Sequence, residues 1–279
     1  MSTRTAGATF YVEGIAFWAP TLPGWPLARA ALRGEAVPLA LAAKRPAPEI
    51  LAPAERRRAP DTVALALEVA ALAVRDSGLA PASLPSIFTS VHGDLSVNDY
   101  MCSTLASAPA SISPTKFHNS VHNAAAGYWT IATGCREAST ALSAFDASFA
   151  AGLLEAAVQC QADARAVLLV AFDVEAIGAL ASVTASEGLL ACALVLAPRP
   201  SEKTVAAFDW SLASGPVAPA PLRSAAARTL AGNAMAGALP LLEAIARRSA
   251  QATADDALAL PLSRSLALVV RPAVFAVAE

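Results

Sequence analysis

The side chains able to do chemistry here are few. They are three histidines (His92, His118 and His122), four cysteines (Cys102, Cys135, Cys160 and Cys192) and one aspartate, Asp146, set at a bend. Ser139 to Ala144 (STALSA) reads as a strand and Ala147 to Ala162 as a long helix with a small-residue face, so Phe145 and Asp146 fall on the turn between them. A sharp strand-to-helix turn of this kind is the shape of a nucleophile elbow, which holds a reactive group out at a helix N-terminus. The elbow ordinarily carries Ser or Cys. A carboxylate there is favoured by the helix dipole and can cap the helix, but it is a poor nucleophile toward thioesters. Asp146 therefore reads either as a helix cap in a site without chemistry or as a working carboxylate.

The other groups form no familiar centre. His118 and His122 are four apart but straddle a loop-to-helix entry, where a shared face is not assured, so they read as structural histidines and not as a metal pair. Arg136 could lower the pKa of Cys135, yet no base lies beside it in sequence. Cys160 and Cys192 sit in apolar surroundings as small hydrophobes. No two cysteines have CxxC spacing, and GxGxxG, Walker and GxSxG patterns are absent. No metal and no cofactor is expected.

The elements that must position the bend follow from periodicity and punctuation. Thr9 to Trp18 reads as a first strand, and Pro20, Pro23 and Pro26 break the chain after it. Residues 27 to 55 suggest a short helix and a loop. Asp61 to Ser77 is a helix with Asp61 as its cap and Gly78 past its end. Pro85 to Val91 is a short buried strand, and Asn98 to Ala106 a helix. Asn123 opens a helix that Gly134 closes. Arg165 to Asp173 and Leu189 to Leu196 are continuous apolar strands of the kind buried on both faces. Thr204 to Leu212 alternates as a strand, and Pro216, Pro219 and Pro221 mark a linker. Leu239 to Arg248 is a helix, and Ser265 to Arg271 and Ala273 to Ala278 are final strands. Strands alternating with helices predict an α/β fold with a largely parallel sheet, full over residues 1–200 and abbreviated over 201–279 within one compact domain.

At 279 residues the chain can bury a large core. Its 56% hydrophobic and 15% charged content leaves little polar sequence to coat an isolated surface, which predicts a large contact with a partner. A net charge of −2 gives no electrostatic footprint for nucleic acid, and Arg56-Arg57-Arg58 reads as a solvated turn. Glu13 interrupts the N-terminal apolar stretch, so no signal peptide is expected, and no apolar run is long enough to span a bilayer. The cysteine pattern suits a reducing compartment, and the expected location is cytoplasmic.

The succession Asn119-Ser-Val-His-Asn-Ala-Ala-Ala-Gly127, Gly134-Cys-Arg136-Glu-Ala-Ser139, then strand, bend and helix over 139 to 160, resembles the β-ketoacyl synthases of the thiolase-like fold. Arg165 to Glu175, Ser186-Glu-Gly188 and Leu189 to Leu196 resemble the strands and turn that close the first half of that family. The resemblance runs over residues 8 to 200 and resumes more weakly at Ala231 to Gly237 and Leu266 to Arg271. It implies a thiolase-like αβαβα layering with an abbreviated second half. Aligned residue by residue, the family's nucleophilic Cys falls on Asp146, and Asn233 lies nearest the position of one of its two catalytic histidines. All three histidines of this chain precede residue 146.

Members without the nucleophile are chain length factors, which pair with an active ketosynthase in type II polyketide systems. The shortened form resembles those of aryl polyene clusters. The resemblance thus implies a non-catalytic subunit that forms a heterodimer with an active β-ketoacyl synthase, meets acyl carrier protein through that complex and shapes the tunnel for the growing chain. Phe117, Asn123, Tyr128, Trp129, Phe145 and Asp146 become tunnel or interface candidates, and Asp146 gains a third reading, as a polar group reaching the tunnel. The strand at 139 to 144 is the expected dimer seam. The alternative is a stand-alone acyl-thioester hydrolase or transferase using Asp146 with His118 or His122.

Overall fold

The computed structural model describes residues 8–215, 218–247 and 256–276. The N-terminal leader reading at residues 1–7, Pro216 of the linker, Arg248 at the end of a predicted helix and residues 277–278 of the last predicted strand lie outside the described residues. The strands are β1 (Ala8–Ala19), β2 (Leu22–Pro23), β3 (Ser86–Thr89), β4 (Ser139–Leu142), β5 (Val167–Asp173), β6 (Leu190–Ala197), β7 (Ala206–Ser214), β8 (Leu258–Ser263) and β9 (Leu266–Pro272). The helices are α1 (Trp25–Arg33), α2 (Pro53–Arg58), α3 (Asp61–Ser77), α4 (Leu95–Ser107), α5 (Pro114–His118), α6 (Ala124–Thr133), α7 (Ser148–Ala162), α8 (Ala225–Arg228) and α9 (Leu239–Ala246).

The strands form one mixed sheet in the order β4-β3-β5-β6-β1-β7-β9-β8, with β2 paired to β1. Only β4, β3 and β5 run parallel to one another; β5–β6, β6–β1, β1–β7, β7–β9 and β9–β8 are antiparallel. This corrects the expectation of a largely parallel sheet. A parallel return needs a crossover element of a dozen or more residues, usually a helix. The connection from β5 to β6 carries only the single 3-10 turn Gly178–Ser182, so β6 comes back beside β5 in the opposite sense. The second half of the chain adds β7, β9 and β8 to the same sheet through β1.

Two further expectations are corrected. Asp61 does not cap α3; Pro60 holds the cap position, and the Asp61 carboxylate instead takes a 2.8 Å hydrogen bond from Arg45. Residues 273–276 are not a strand, although the Ala273 N–H donates to the Ala207 carbonyl at 2.8 Å. The strand beside β9 is β8, whose Pro261 disguises it: proline cannot donate to a ladder, and here it falls where the register with β9 shifts.

Helices cover both faces. α3 and α6 pack on one, where Leu65, Val69, Ala73 and Trp129 meet Phe88, Leu168, Val170 and Val195 of the sheet. α7, α1 and α9 pack on the other, where Phe149, Leu153 and Leu242 meet Phe10, Phe17, Leu169, Leu194 and Leu268. Two glycines set how closely helix meets sheet. A Cβ on Gly14 of β1 would lie 2.1 Å from the Ala73 carbonyl oxygen of α3. A Cβ on Gly152 of α7 would lie 2.9 Å from a methyl of Thr89 in β3. The second contact presses α7, the helix behind the bend, against the strands whose ends surround it.

Candidate functional site

The bend is built as an elbow. β4 is the edge strand and runs parallel to β3, so its C-terminal end opens beside that of β3. The chain then turns through the 3-10 segment Phe145–Ala147 into α7. Phe145 has φ 49°, the left-handed region that costs an L-residue about 1–2 kcal/mol. Ser148 holds the turn in place. Its hydroxyl accepts from the Ala144 N–H at 2.9 Å and donates to the Phe145 carbonyl at 2.7 Å, while the Ala147 N–H donates to the Ala144 carbonyl at 3.0 Å. The Thr89 hydroxyl anchors the start of α7 by donating to the Ser148 carbonyl at 3.0 Å. The strained residue at the apex is Phe145, with its side chain 72% exposed, and Asp146 follows it, also exposed. The segment Ala234–Ala238 and strand β8 both pack against this turn.

Behind the elbow lies a hydrogen-bonded hub at the exit of β3. Asp173, the last residue of β5, is buried, and its carboxylate accepts from the Ser90 hydroxyl at 2.7 Å and from the Val91 N–H at 3.0 Å. The Ser90 carbonyl takes a 3.0 Å bond from His122 Nε2, so that nitrogen carries the proton. The Val91 carbonyl takes a 2.7 Å bond from the Ser143 hydroxyl at the end of β4. Asn233 Nδ2 donates to the Glu187 carbonyl at 3.0 Å, and also reaches the Gly188 and Asp173 carbonyls. Burial pushes the Asp173 carboxyl up to about 7, against the opposing effect of its hydrogen bonds.

The loop so held carries His92. Its ring meets that of Phe145 edge-on at 5.9 Å between centroids, and its Nε2 pairs with the Thr184 hydroxyl. Partial burial, and then the neighbouring charge of His122, hold the imidazole below its usual range, while Asp146 pulls it back up. His92 is therefore neutral at neutral pH.

The residues picked from sequence fall into three groups. Phe145 and Asp146 share the elbow. Asn123, with His122, Ala126, Gly127, Thr130, Ser139 and Ala141, lines an open groove of about 500 Å³ between α6 and β4, and Phe117 stands 64% exposed on α5. Tyr128 is half-buried and meets His118 edge-on at 6.2 Å. Trp129 is 0% exposed in the core with α3, because α6 turns that face inward. Asn233 is buried and spends its amide on backbone groups, joining Ser186 to Gly188 with the segment after it. Sequence reasoning missed His92, Asp173 and Ser148 as members of the site. One signal was available: Asp173 is the only charge in the apolar run of its strand, placed at the strand's end where a loop must be held.

The architecture, with the elbow at the end of an edge strand and a helix packed beneath it, is that of a thiolase-like ketosynthase fold. The family model for the β-ketoacyl synthase N-terminal domain matches residues 33–260, and the chain belongs to that family. Among solved structures, the complex of the Xenorhabdus doucetiae ketosynthase ApeO with its chain length factor ApeC contains a similar chain, 22% identical with a TM-score of 0.69 over 94% of this chain and 99% of that one. The ishigamide ketosynthase/chain length factor gives 15% identity and a TM-score of 0.70 over 95% and 99%. A β-ketoacyl synthase from Burkholderia phymatum gives 15% and 0.57 over 85% and 70%. No curated protein matches the chain.

Proposed function

We propose that this chain is a chain length factor: a ketosynthase-like subunit that does no condensation itself, pairs with an active β-ketoacyl synthase and shapes the end of its acyl tunnel. The observation that carries this reading is the elbow. Strand, strained turn, Ser148 clamp and supporting helix are all in place, while the apex carries Phe145 and Asp146, neither of which builds an acyl-enzyme from a thioester. A retained scaffold without a thiol fits a subunit whose shape is used and whose chemistry resides in a partner.

The surface around the elbow suits that partner. Among the described residues β4 pairs only with β3, leaving its other edge open, and Ile131 (79% exposed), Phe117 and Val121 are exposed apolar residues on α6, which packs against β4, and on the segment leading into it. An open edge strand flanked by apolar side chains is a template for pairing with another chain. The growing chain would come from type II polyketide synthesis, with aryl polyene the product class, delivered by acyl carrier protein to the pair. The division into a ketosynthase-like part at 1–200 and a shortened part at 201–279 belongs to the same reading, as does a cytoplasmic location; among the described residues no helix is long and apolar enough to cross a membrane.

The test is co-expression with an active ketosynthase of such a cluster. A stable two-protein complex that elongates malonyl units, with neither subunit sufficient alone, is the expected result. A purified chain that stays monomeric and ignores the synthase would remove the proposal.

One observation favours a second reading, a stand-alone acyl-thioester hydrolase or transferase. Asp146 acts on the titration of a histidine, as an acid/base pair would require, but that histidine is His92. His118 stacks on Tyr128, and His122 is committed to the Ser90 carbonyl. Thioester turnover by the pure chain, lost in both Asp146→Asn and His92→Ala, would establish it.

A further inference from the structure

We propose that Phe145, not Asp146, occupies the seat of the family's nucleophile, and that its ring is the wall on which an extended acyl chain stops. The inference rests on the chain-length-factor reading above and assigns the stopping residue within it.

Three observations converge on Phe145. First, the backbone. An elbow presents its nucleophile on the strained residue of the turn, and at this turn the left-handed residue is Phe145. Counting from sequence placed the seat one residue later, because left-handed strain cannot be read from residue types when the strained residue is not glycine. Second, the cost. The turn holds a phenylalanine in a strained left-handed conformation, with most of the ring outside the protein's own core. Such strain persists where the surroundings over-determine it, and Ser148 does so through two hydrogen bonds, one to each side of the apex. Third, the backing. His92 meets the ring edge-on, and its loop is tied to the ends of β4 and β5 through Ser143 and Asp173 and to the start of α6 through His122. The ring is therefore presented on a braced support.

The chemistry of the seat selects the occupant. In an active member this position meets the acyl group. Here it offers an apolar aromatic surface with no thiol, and its imidazole neighbour is uncharged at neutral pH. That combination suits the apolar far end of a long acyl chain, aliphatic or aryl, through hydrophobic and edge-to-face contact.

The experiment uses the co-expressed complex with the active ketosynthase of the same cluster, loaded carrier protein and a malonyl-thioester extender, comparing wild type with Phe145→Ala and Phe145→Trp. Product length is read by mass spectrometry, and complex integrity by native mass. Expected are longer products from Phe145→Ala, by one two-carbon unit or more, shorter products from Phe145→Trp, and an intact complex in both. Intact complexes with unchanged product lengths overturn the proposal. So does loss of the complex in Phe145→Ala alone, which would make the ring a contact with the partner protein. A distribution that responds to Asp146→Ala and not to changes at Phe145 returns the seat to Asp146. Failure of the wild-type chain to form any complex is a different failure, because it removes the underlying reading together with this one.

Discussion

The His92 ring stands edge-on to the Phe145 ring, 5.9 Å away at 74°, although 53 positions separate them in the chain. The pair joins the exit of β3 to the turn after β4, two ends that lie side by side because those strands are parallel neighbours. It is the visible face of a hub in which Asp173, Ser90, Ser143 and His122 are all engaged.

The strain at Phe145 predicts an unusual sign. Phe145→Gly should stabilise the purified chain by about 0.5–1 kcal/mol, since relief of the left-handed backbone exceeds the entropy glycine adds to the unfolded chain. Phe145→Val should destabilise it by a similar amount, because branching at Cβ makes that backbone harder to hold. Urea melts of the three proteins check both signs.

Ser148→Ala removes the clamp. It strands the Ala144 N–H and breaks the bond to the Phe145 carbonyl, for an expected loss of about 1–3 kcal/mol. The loss should be smaller in a Phe145→Gly background, where the turn no longer has to be forced. A double-mutant cycle measures that coupling.

Asp173 makes stability depend on pH. Its folded pKa, about 7, lies above the ordinary value of 3.8, so between those limits the folded chain holds a proton that the unfolded chain releases. This group's contribution is fully present below about pH 4 and is lost as the pH rises through 7. Asp173→Asn should flatten the stability profile in that window, removing a slope of up to about 1.4 kcal/mol per pH unit. Chemical denaturation at pH 5, 6, 7 and 8 checks it.

Gly14→Ala should be among the most damaging small changes, at about 2–4 kcal/mol, because the new methyl would meet a backbone oxygen and no flexible side chain. Gly127→Ala, whose Cβ meets nothing within 4 Å, should be close to neutral in the isolated chain. Thermal melts compare the two.

Ile131→Asp should leave the stability of the isolated chain nearly unchanged, because the residue is exposed, yet weaken binding to the ketosynthase tenfold or more. Sedimentation with and without the partner separates the two effects.

Much of the fold was legible because local signals agreed. The α3 boundaries came from an apolar face ended by Gly78, which takes the left-handed cap expected of it. β5 and β6 were plain as uninterrupted apolar runs. Strand direction was not legible, since β5 and β6 are each buried on both faces and look the same run either way. β8 was hidden by Pro261. At the site, the turn between strand and helix could be located at Phe145 and Asp146, but its braces could not be found. Asp173 and Ser90, or His122 and the Ser90 carbonyl, meet only through the sheet, across 83 and 32 positions.

The placement of β1 has a consequence for how the chain comes to fold. Its first residues pair with β7, Phe10 opposite Phe208, and its later ones with β6, Trp18 opposite Ala191. This strand thus leaves the ribosome some 170 to 200 residues before its partners. Such distant pairing folds slowly, and in the interval the apolar stretch Phe10 to Trp18 is open to aggregation. Yield in cells should therefore respond to chaperone supply and to slower translation, quite apart from the equilibrium stability of the finished protein.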